Sequence, residues 1–416
     1  MLLGNGVFNA ARLGAYAILA KTTSKPIVGQ FETGTAIASP IVLLLSLELR
    51  SAYVADPEDR TPFGAYRVLR FIGLGAALLV CLGVVFWRAA EESSAMLAIL
   101  AGAALIKVAF HSAEIYWGVF QKRERLDLLA RSNMIRGALM LAAFAALLIP
   151  LYWLDDAPPE ETTPRRQWMA AAAVWTAALA WLAAGYFGDR ARAAALGGLD
   201  YTWTRRQVGE LALRAAPLGI VALLISLCEN APRLFIRGQA EGLEALGQYG
   251  ALAQLPMIAS FIVIQVGVAA SNRLARQYAG ARRAFAVLTG KLTLFAIGLA
   301  AAVYSAAWLF GDWLVRTIYT ESYAGHFDAF MTLVAAQCVI LLASMFGYVT
   351  TQMRLFWIQV PIHVAVLAGT LIAAALLVPD DPVQGGATTM LIRACIQTVL
   401  YAACLVYGLT RPSAAA

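Results

Sequence analysis

Residues 4–50 read GNGVFNAARLGAYAILAKTTSKPIVGQFETGTAIASPIVLLLSLELR. Two apolar runs flank a short polar break, KTTSKP at 21–26, and each run carries a polar stripe. Asn5, Asn9, Arg12 and Tyr16 fall on one face of a 3.6-residue helix, and Glu32, Thr35, Ser39 and Ser46 do so on the next. Arg12 sits near the middle of its run. A guanidinium facing lipid at that depth costs at least ~2.5 kcal/mol, so Arg12 is expected to face protein or a water-filled cavity.

The pair recurs. Asn9-Ala-Ala-Arg12-Leu13 is echoed by Asn230-Ala-Pro-Arg233-Leu234, and Val28-Gly29-Gln30-Phe31 by Leu246-Gly247-Gln248-Tyr249. The offsets, 221 and 218 residues, agree to within three, as expected of two similar halves.

Hydrophobic residues make up 61% of the 416 and charged ones 14%, against roughly 25% charged in soluble domains. This composition predicts a multi-spanning membrane protein without a sizeable soluble domain. Twelve spans are expected: 3–21, 27–49, 68–88, 94–119, 129–151, 167–187, 211–232, 245–270, 286–309, 327–350, 355–378 and 386–409. The fold class is all-α, with a six-helix lobe at 1–190, a basic connector at 191–210 and a second six-helix lobe at 211–416. Six spans per half give both halves one orientation, a parallel repeat about an axis along the membrane normal. The acidic, Pro-rich stretch DDAPPEETTP (155–164) reads as a solvated loop. No Lys or Arg precedes the first run, so it lacks the basic region of a cleaved signal peptide and is expected to stay; a short basic leader upstream of Met1 is compatible with it.

With the N-terminus inside, inner loops and termini hold twenty Lys and Arg, among them Arg50, Arg60, Arg67, Arg70, Arg354 and Arg411. The outer loops hold eight: Lys21, Lys25, Arg88, Arg165, Arg166, Arg233, Arg237 and Arg316. This bias puts both termini in the cytoplasm. It also explains the net charge of +7 as topology charges near anionic lipid headgroups, without nucleic acid as a partner. Cys81, Cys228, Cys338, Cys395 and Cys404 all lie inside apolar spans without metal or redox spacing, and read as small core residues.

Lys107, His111 and Glu114 share one face of the fourth span. They read either as a cation or proton site or as an internal ion pair beside a core histidine. His111-x-x-Glu114 resembles half of a di-metal helix motif, but no second copy exists and no metal is expected. Ser226, Glu229, Asn230 and Arg233 share a face of the seventh span. Arg233 either lines a cavity or snorkels to the outer interface. Arg393 lies deep in the twelfth span with Thr389, Gln397 and Tyr401, and needs a partner there. Pro40, Pro217, Pro256 and Pro361 fall inside or near spans, where they free carbonyls and let helices bend. No nucleophile–base–acid grouping, Gly-rich phosphate loop or paired loop carboxylates stand out, so no enzyme and no cofactor are expected.

The chain resembles the Wzx-type polysaccharide flippases of the multidrug/oligosaccharidyl-lipid/polysaccharide (MOP) exporter superfamily. The stretches that carry the resemblance are Leu3-Gly4-Asn5-Gly6, Gly29-Gln30-Phe31, Ala38-Ser39-Pro40, Leu49-Arg50-Ser51, Ala113 to Gly118 running into Gln121 to Arg125, Arg131-Ser132 with Arg136-Gly137, and in the second half Asn230, Pro232, Arg233, Leu246 to Tyr249 and Arg273, Arg276, Tyr278. The resemblance implies two six-helix lobes around a cavity and alternating access. It implies carriage of a lipid-linked, polyprenyl-phosphate-type oligosaccharide to the outer leaflet of the bacterial inner membrane, for O-antigen or other surface polysaccharide. Arg12, Arg233, Arg393 and Lys107 are the cations placed to meet a phosphate headgroup, with Asn9 and Asn230 beside them. Glu114, Glu229, Glu32 and His111 are the candidates for a coupling ion. Membrane lipids and the enzymes that polymerise or transfer the glycan are the implied partners. Two other readings stay open: a MATE-like cation-coupled drug antiporter, and a membrane glycosyltransferase, polymerase or ligase. The first favours an acidic cavity and the second large polar outer loops.

Overall fold

The computed structural model describes residues 2–56, 61–87, 92–353 and 356–410; Arg60, Arg88, Arg354 and Arg411 of the charge count lie outside them. Among the described residues every regular element is a helix. Two compact units divide the chain: Met1–Asn230 with Leu243–Gly247, and Ala231–Gly242 with Gln248–Ala416.

The first unit contains α1 (Leu2–Thr22), α2 (Lys25–Ser46), α3 (Leu49–Val54), α4 (Phe63–Trp87), α5 (Ser94–Lys122), α6 (Leu126–Leu148), α7 (Leu151–Leu154), α8 (Pro164–Ala183), a π-helical turn (Ala184–Asp189), α9 (Arg190–Ala195) and most of α10 (Arg205–Arg237). α11 (Gly242–Gln254) starts against this unit and continues into the second. There follow α12 (Ile258–Gly280), α13 (Arg282–Ile318), α14 (Glu321–Ala324), α15 (Phe327–Gln352), α16 (Phe356–Leu377) and α17 (Pro382–Thr410). By compactness the chain divides inside α10, and the stretch 191–210 packs wholly within the first unit.

Among the described residues each of the twelve expected ranges is largely helical, but length and composition alone pick out fewer of them as spans. Among the described residues ten helices are long and apolar enough to cross a bilayer, eleven if α11 and α12, bent by 46° at residues 255–257, count together as one broken span. α1 has 21 residues yet is not among them. Its polar stripe, with Asn5, Asn9, Arg12 and Lys21, dilutes its apolar length. The chain is a multi-pass membrane protein.

α5 is the centre of the first unit. It is buried along most of its length and packs on α2, α4 and α8. Its small residues Ala101 to Ala104 allow close approach on several faces. At its C-terminal end Tyr116, Trp117 and Phe120 join Tyr53, Phe63 and Tyr66 in an aromatic core completed by Leu211 and Ala215 of α10. The connector docks on this core. The Gly64 amide donates to the Asp200 carbonyl at 2.8 Å, and Arg67 lies over the Tyr201 ring.

A buried ionic network ties α5, α6 and α8 together. Arg136 is fully buried and donates to Asp189 Oδ2 at 2.7 Å and Ser132 Oγ at 2.5 Å. Ser132 Oγ in turn donates to Asp189 and accepts from Trp117 Nε1. Trp181 Nε1 returns a bond to the Arg136 carbonyl. The π-helical turn serves this network. Trp181, Gly185 and Asp189 are all buried at four-residue steps, and an α-helix would drift about 40° per step. The wider turn takes up that drift and keeps Asp189 facing Arg136.

The 155–164 stretch is a solvent-facing loop with a fixed internal structure. It wraps the Arg166 guanidinium, which is 2% exposed. Arg166 donates to the carbonyls of Ala157 at 2.5 Å, Glu161 at 3.1 Å and Pro158, and lies 3.3 Å from Asp155. Thr163 Oγ1 donates to Asp155 at 2.8 Å, and this bond holds the Asp155 carboxyl below its ordinary range.

Two predictions follow from these contacts. Asp189→Ala leaves the Arg136 charge buried without its counter-ion and costs about 3–5 kcal/mol, read as a lower melting temperature in detergent; Arg136→Met combined with Asp189→Leu recovers most of it. Because the Asp155 pKa is depressed in the folded state, its contribution is complete above the ordinary carboxylate value and is lost as pH falls through the folded one. Hydrogen exchange at the Ala157 amide, which donates to Asp155 Oδ1, should therefore lose protection selectively at acid pH.

Candidate functional site

α1 presents its stripe as the spacing requires. Asn9 is buried and donates to the Asn5 carbonyl at 2.7 Å, while Asn5 Oδ1 accepts from Asn133 of α6 at 2.6 Å. Arg12 is half-buried and Tyr16 buried. On α2, Glu32 is 3% exposed. The hydroxyls below it turn back on their own helix: Thr35 donates to the Glu32 carbonyl and Ser39 to that of Thr35. Ser46 does the same to the Leu43 carbonyl, so three of the four stripe residues are spent on satisfying α2 itself.

On α5 the structure joins two of three expected residues directly. His111 Nδ1 stands 2.8 Å from Glu114 Oε2. Lys107, a turn earlier, is half-buried. A residue missed in the sequence completes the cluster. Arg70 of α4 is fully buried, its Nη1 lies 3.5 Å from the same Glu114 oxygen, and none of its nitrogens has a hydrogen-bond partner. Arg70 and His111 therefore converge on one carboxylate oxygen, and His111 holds the shorter contact. Arg70 was counted among the headgroup-facing topology charges; the structure corrects this, since it belongs to the core. The signal was its place on the buried stripe Tyr66, Arg70, Gly73, Ala77 and Cys81. Arg136 and Asp189 were missed as a pair because 53 residues separate them.

In the seventh expected span Asn230 is buried and donates to the Ser226 carbonyl at 2.8 Å. Glu229 is exposed. In the second unit Arg233 is half-buried, its guanidinium 5.8 Å from the Tyr249 ring centroid. The two residues are echoes of Arg12 and Phe31 in the first unit. Arg393 of α17 is 4% exposed, with Thr389 fully buried one turn before it. It lies within electrostatic range of His363 on α16, whose Nε2 is 3.1 Å from the Tyr401 hydroxyl. No group of three or more His, Cys, Asp or Glu able to hold a metal occurs among the described residues.

Because Glu114 is the counter-ion of a buried arginine, Glu114→Gln should destabilise the protein by about 3 kcal/mol. His111→Asn, which removes a hydrogen bond and leaves the Arg70–Glu114 pair, should cost about 1 kcal/mol. Thermal unfolding of both variants in detergent tests the order; equal losses would remove Glu114 from that role.

No family model matches the chain. It is 21% identical over 378 residues to the capsular polysaccharide biosynthesis protein CapF of Staphylococcus aureus, covering 90% of this chain and 89% of that protein. The lipid II flippase MurJ in an inward closed conformation is similar in structure, with a TM-score of 0.71 at 10% identity over 98% of this chain and 89% of that one. A MOP superfamily transporter from Pyrococcus furiosus matches with a TM-score of 0.65 at 13% identity, over 99% and 95% of the two chains. The chain shares the all-helical, multi-spanning fold of these transporters over nearly its whole length.

Proposed function

We propose that this protein flips a lipid-linked oligosaccharide of the polyprenyl-phosphate type from the inner to the outer leaflet of a bacterial cytoplasmic membrane, by alternating access, for surface polysaccharide or O-antigen assembly. The observation that carries this reading is a set of basic side chains held inside spans: Arg12, Lys107 and Arg233 half-buried, and Arg393 nearly fully so. A phosphate headgroup matches them, because a guanidinium fork pairs with two phosphate oxygens at once. A cationic drug does not. The lipid tail stays in the bilayer, so only the head needs a polar path. Whole-chain likeness to a capsular polysaccharide biosynthesis protein supports the same substrate class.

In this reading 1–190 and 211–416 are the two moving lobes, 191–210 joins them, and both termini are cytoplasmic. Asn9 and Asn230 hold sugar or phosphate oxygens beside the cations. Glu32, Glu114, Glu229 and His111 are the groups through which an ion gradient couples. Of these, Glu32 is a buried carboxylate and Glu114 is engaged by His111 and Arg70. The glycan is built and extended by glycosyltransferases and a polymerase on either side of the step.

A strain lacking the gene, with lipid-linked glycan labelled separately in each leaflet, should accumulate it on the cytoplasmic leaflet and lose surface polysaccharide. Accumulation of unpolymerised units outside would instead indicate a polymerase or ligase, and no change in either leaflet a drug antiporter. Arg12→Ala should abolish export while the protein still inserts, and Arg12→Lys, which keeps charge but not the fork, should retain part of it. Normal export by Arg12→Ala at normal abundance would remove the cationic path at its main residue.

A further inference from the structure

Several segments of the first unit converge at one end of it. Arg67 stands in the second turn of α4 and Tyr116 in the last turns of α5. Tyr186 belongs to the π-helical turn, Arg190 opens α9, and Tyr201 lies in the connector. Arg67 lies over the Tyr201 ring, 5.3 Å from its centroid, and Arg190 over the Tyr186 ring at 4.8 Å. Both arginines, Tyr186 and Tyr201 are all within electrostatic range of Tyr116. Backbone contact brings the connector here. Besides the bond from the Gly64 amide to the Asp200 carbonyl, a Cβ on Gly64 would strike the carbonyl oxygens of Tyr201 and Thr202. The absence of that Cβ is what lets Tyr201 reach Arg67.

These two arginines differ from others near them in the chain. Arg125, Arg192 and Arg206 pair with Asp127, Asp189 and Glu210. Arg67 and Arg190 are half-buried, and among the described residues neither forms an ion pair or donates a hydrogen bond. A ring takes the flat face of a guanidinium and leaves its N–H edge for another partner. Two such cations around one tyrosine raise the local potential and attract an anion. The surroundings say which kind. Tyr186 is 57% and Phe187 74% exposed at the end of an apolar helix, and Trp203 of the connector is 48% exposed. Aromatic rings exposed at the end of a span sit at the level of the lipid headgroups, where the phosphates are.

We propose that Arg67 and Arg190, held by Tyr201 and Tyr186, form a binding site for the headgroup of an anionic phospholipid. The headgroup phosphate takes the free N–H edges of the two guanidiniums, with the tyrosine hydroxyls as further donors. The exposed rings of Tyr186 and Phe187 lie against its acyl chains. Bound there, the lipid ties the connector to α4 and α9. In the topology proposed above, it comes from the cytoplasmic leaflet.

The test is native mass spectrometry of the full-length protein in detergent, titrated with phosphatidylglycerol against a phosphatidylcholine background. Arg67→Gln with Arg190→Gln should weaken phosphatidylglycerol binding about fivefold, as loss of charge-assisted contacts to phosphate requires. Arg125→Gln with Arg206→Gln removes the same charge from exposed, acid-paired positions and should change it by less than about twofold. Tyr186→Leu with Tyr201→Leu keeps both charges and should weaken it about twofold or more. Equal weakening by the two glutamine pairs would reduce the site to diffuse surface charge, and full binding by the Arg67, Arg190 pair would remove it. Displacement of the lipid by equimolar inorganic phosphate would make it a site for free phosphate instead. Should the Arg67, Arg190 pair not purify as a folded protein, the tyrosine pair decides: unchanged affinity there overturns the proposal. Lipid binding in detergent depends neither on what the protein carries nor on which side the site faces, so it holds or fails independently of the flippase reading.

Discussion

A bilayer core offers no water, so every polar group carried into it must find a partner inside the protein. The Arg136–Asp189 pair shows what that demands. The arginine is fully buried and the aspartate 1% exposed, and the pair is bonded further by Ser132 and capped by Trp117 and Trp181. An ion pair at that depth is sustained only when its remaining donors and acceptors are also met. The helical register of α8 yields to it, through a π turn that keeps Trp181, Gly185 and Asp189 on one face.

The Glu114 cluster meets the same demand less completely. One carboxylate oxygen takes a 2.8 Å contact from His111 and a 3.5 Å contact from Arg70, and the buried arginine makes no hydrogen bond. The α5 face is thus both an internal ion pair and a polar site: the counter-ion role ties α4 to α5, and the imidazole edge remains partly exposed. The α2 stripe divides differently. Glu32 is buried, while Thr35 and Ser39 bond back to their own helix. A helical polar stripe therefore marks where polar groups sit, and only neighbouring helices decide which of them face a path.

Charge counting had a similar reach. It set an orientation from many residues together, yet Arg70 and Arg166, counted as loop charges, are both withdrawn from solvent. Arg166 gathers the carbonyls of the acidic loop around itself, so a stretch that reads as solvated from its prolines and carboxylates is ordered by one guanidinium. α1 falls below the apolar content of the other long helices for the converse reason: a stripe of Asn and Arg at helical spacing predicts a helix, and the same residues lower its apolar content.

The sequence by itself determined that this is an all-helical, multi-pass membrane protein, and its repeat offset led us to expect two similar halves. Apolar length, helical spacing and a repeat offset are local or periodic properties, and they survive without knowledge of contacts. It also placed His111 and Glu114 on one face, three residues apart. Only the tertiary structure decided that Arg70 shares their carboxylate and that Arg136 meets Asp189. Those pairs lie 44 and 53 residues apart. No periodicity links residues on different helices; their meeting is set by how helix backbones pack, which a single sequence does not state.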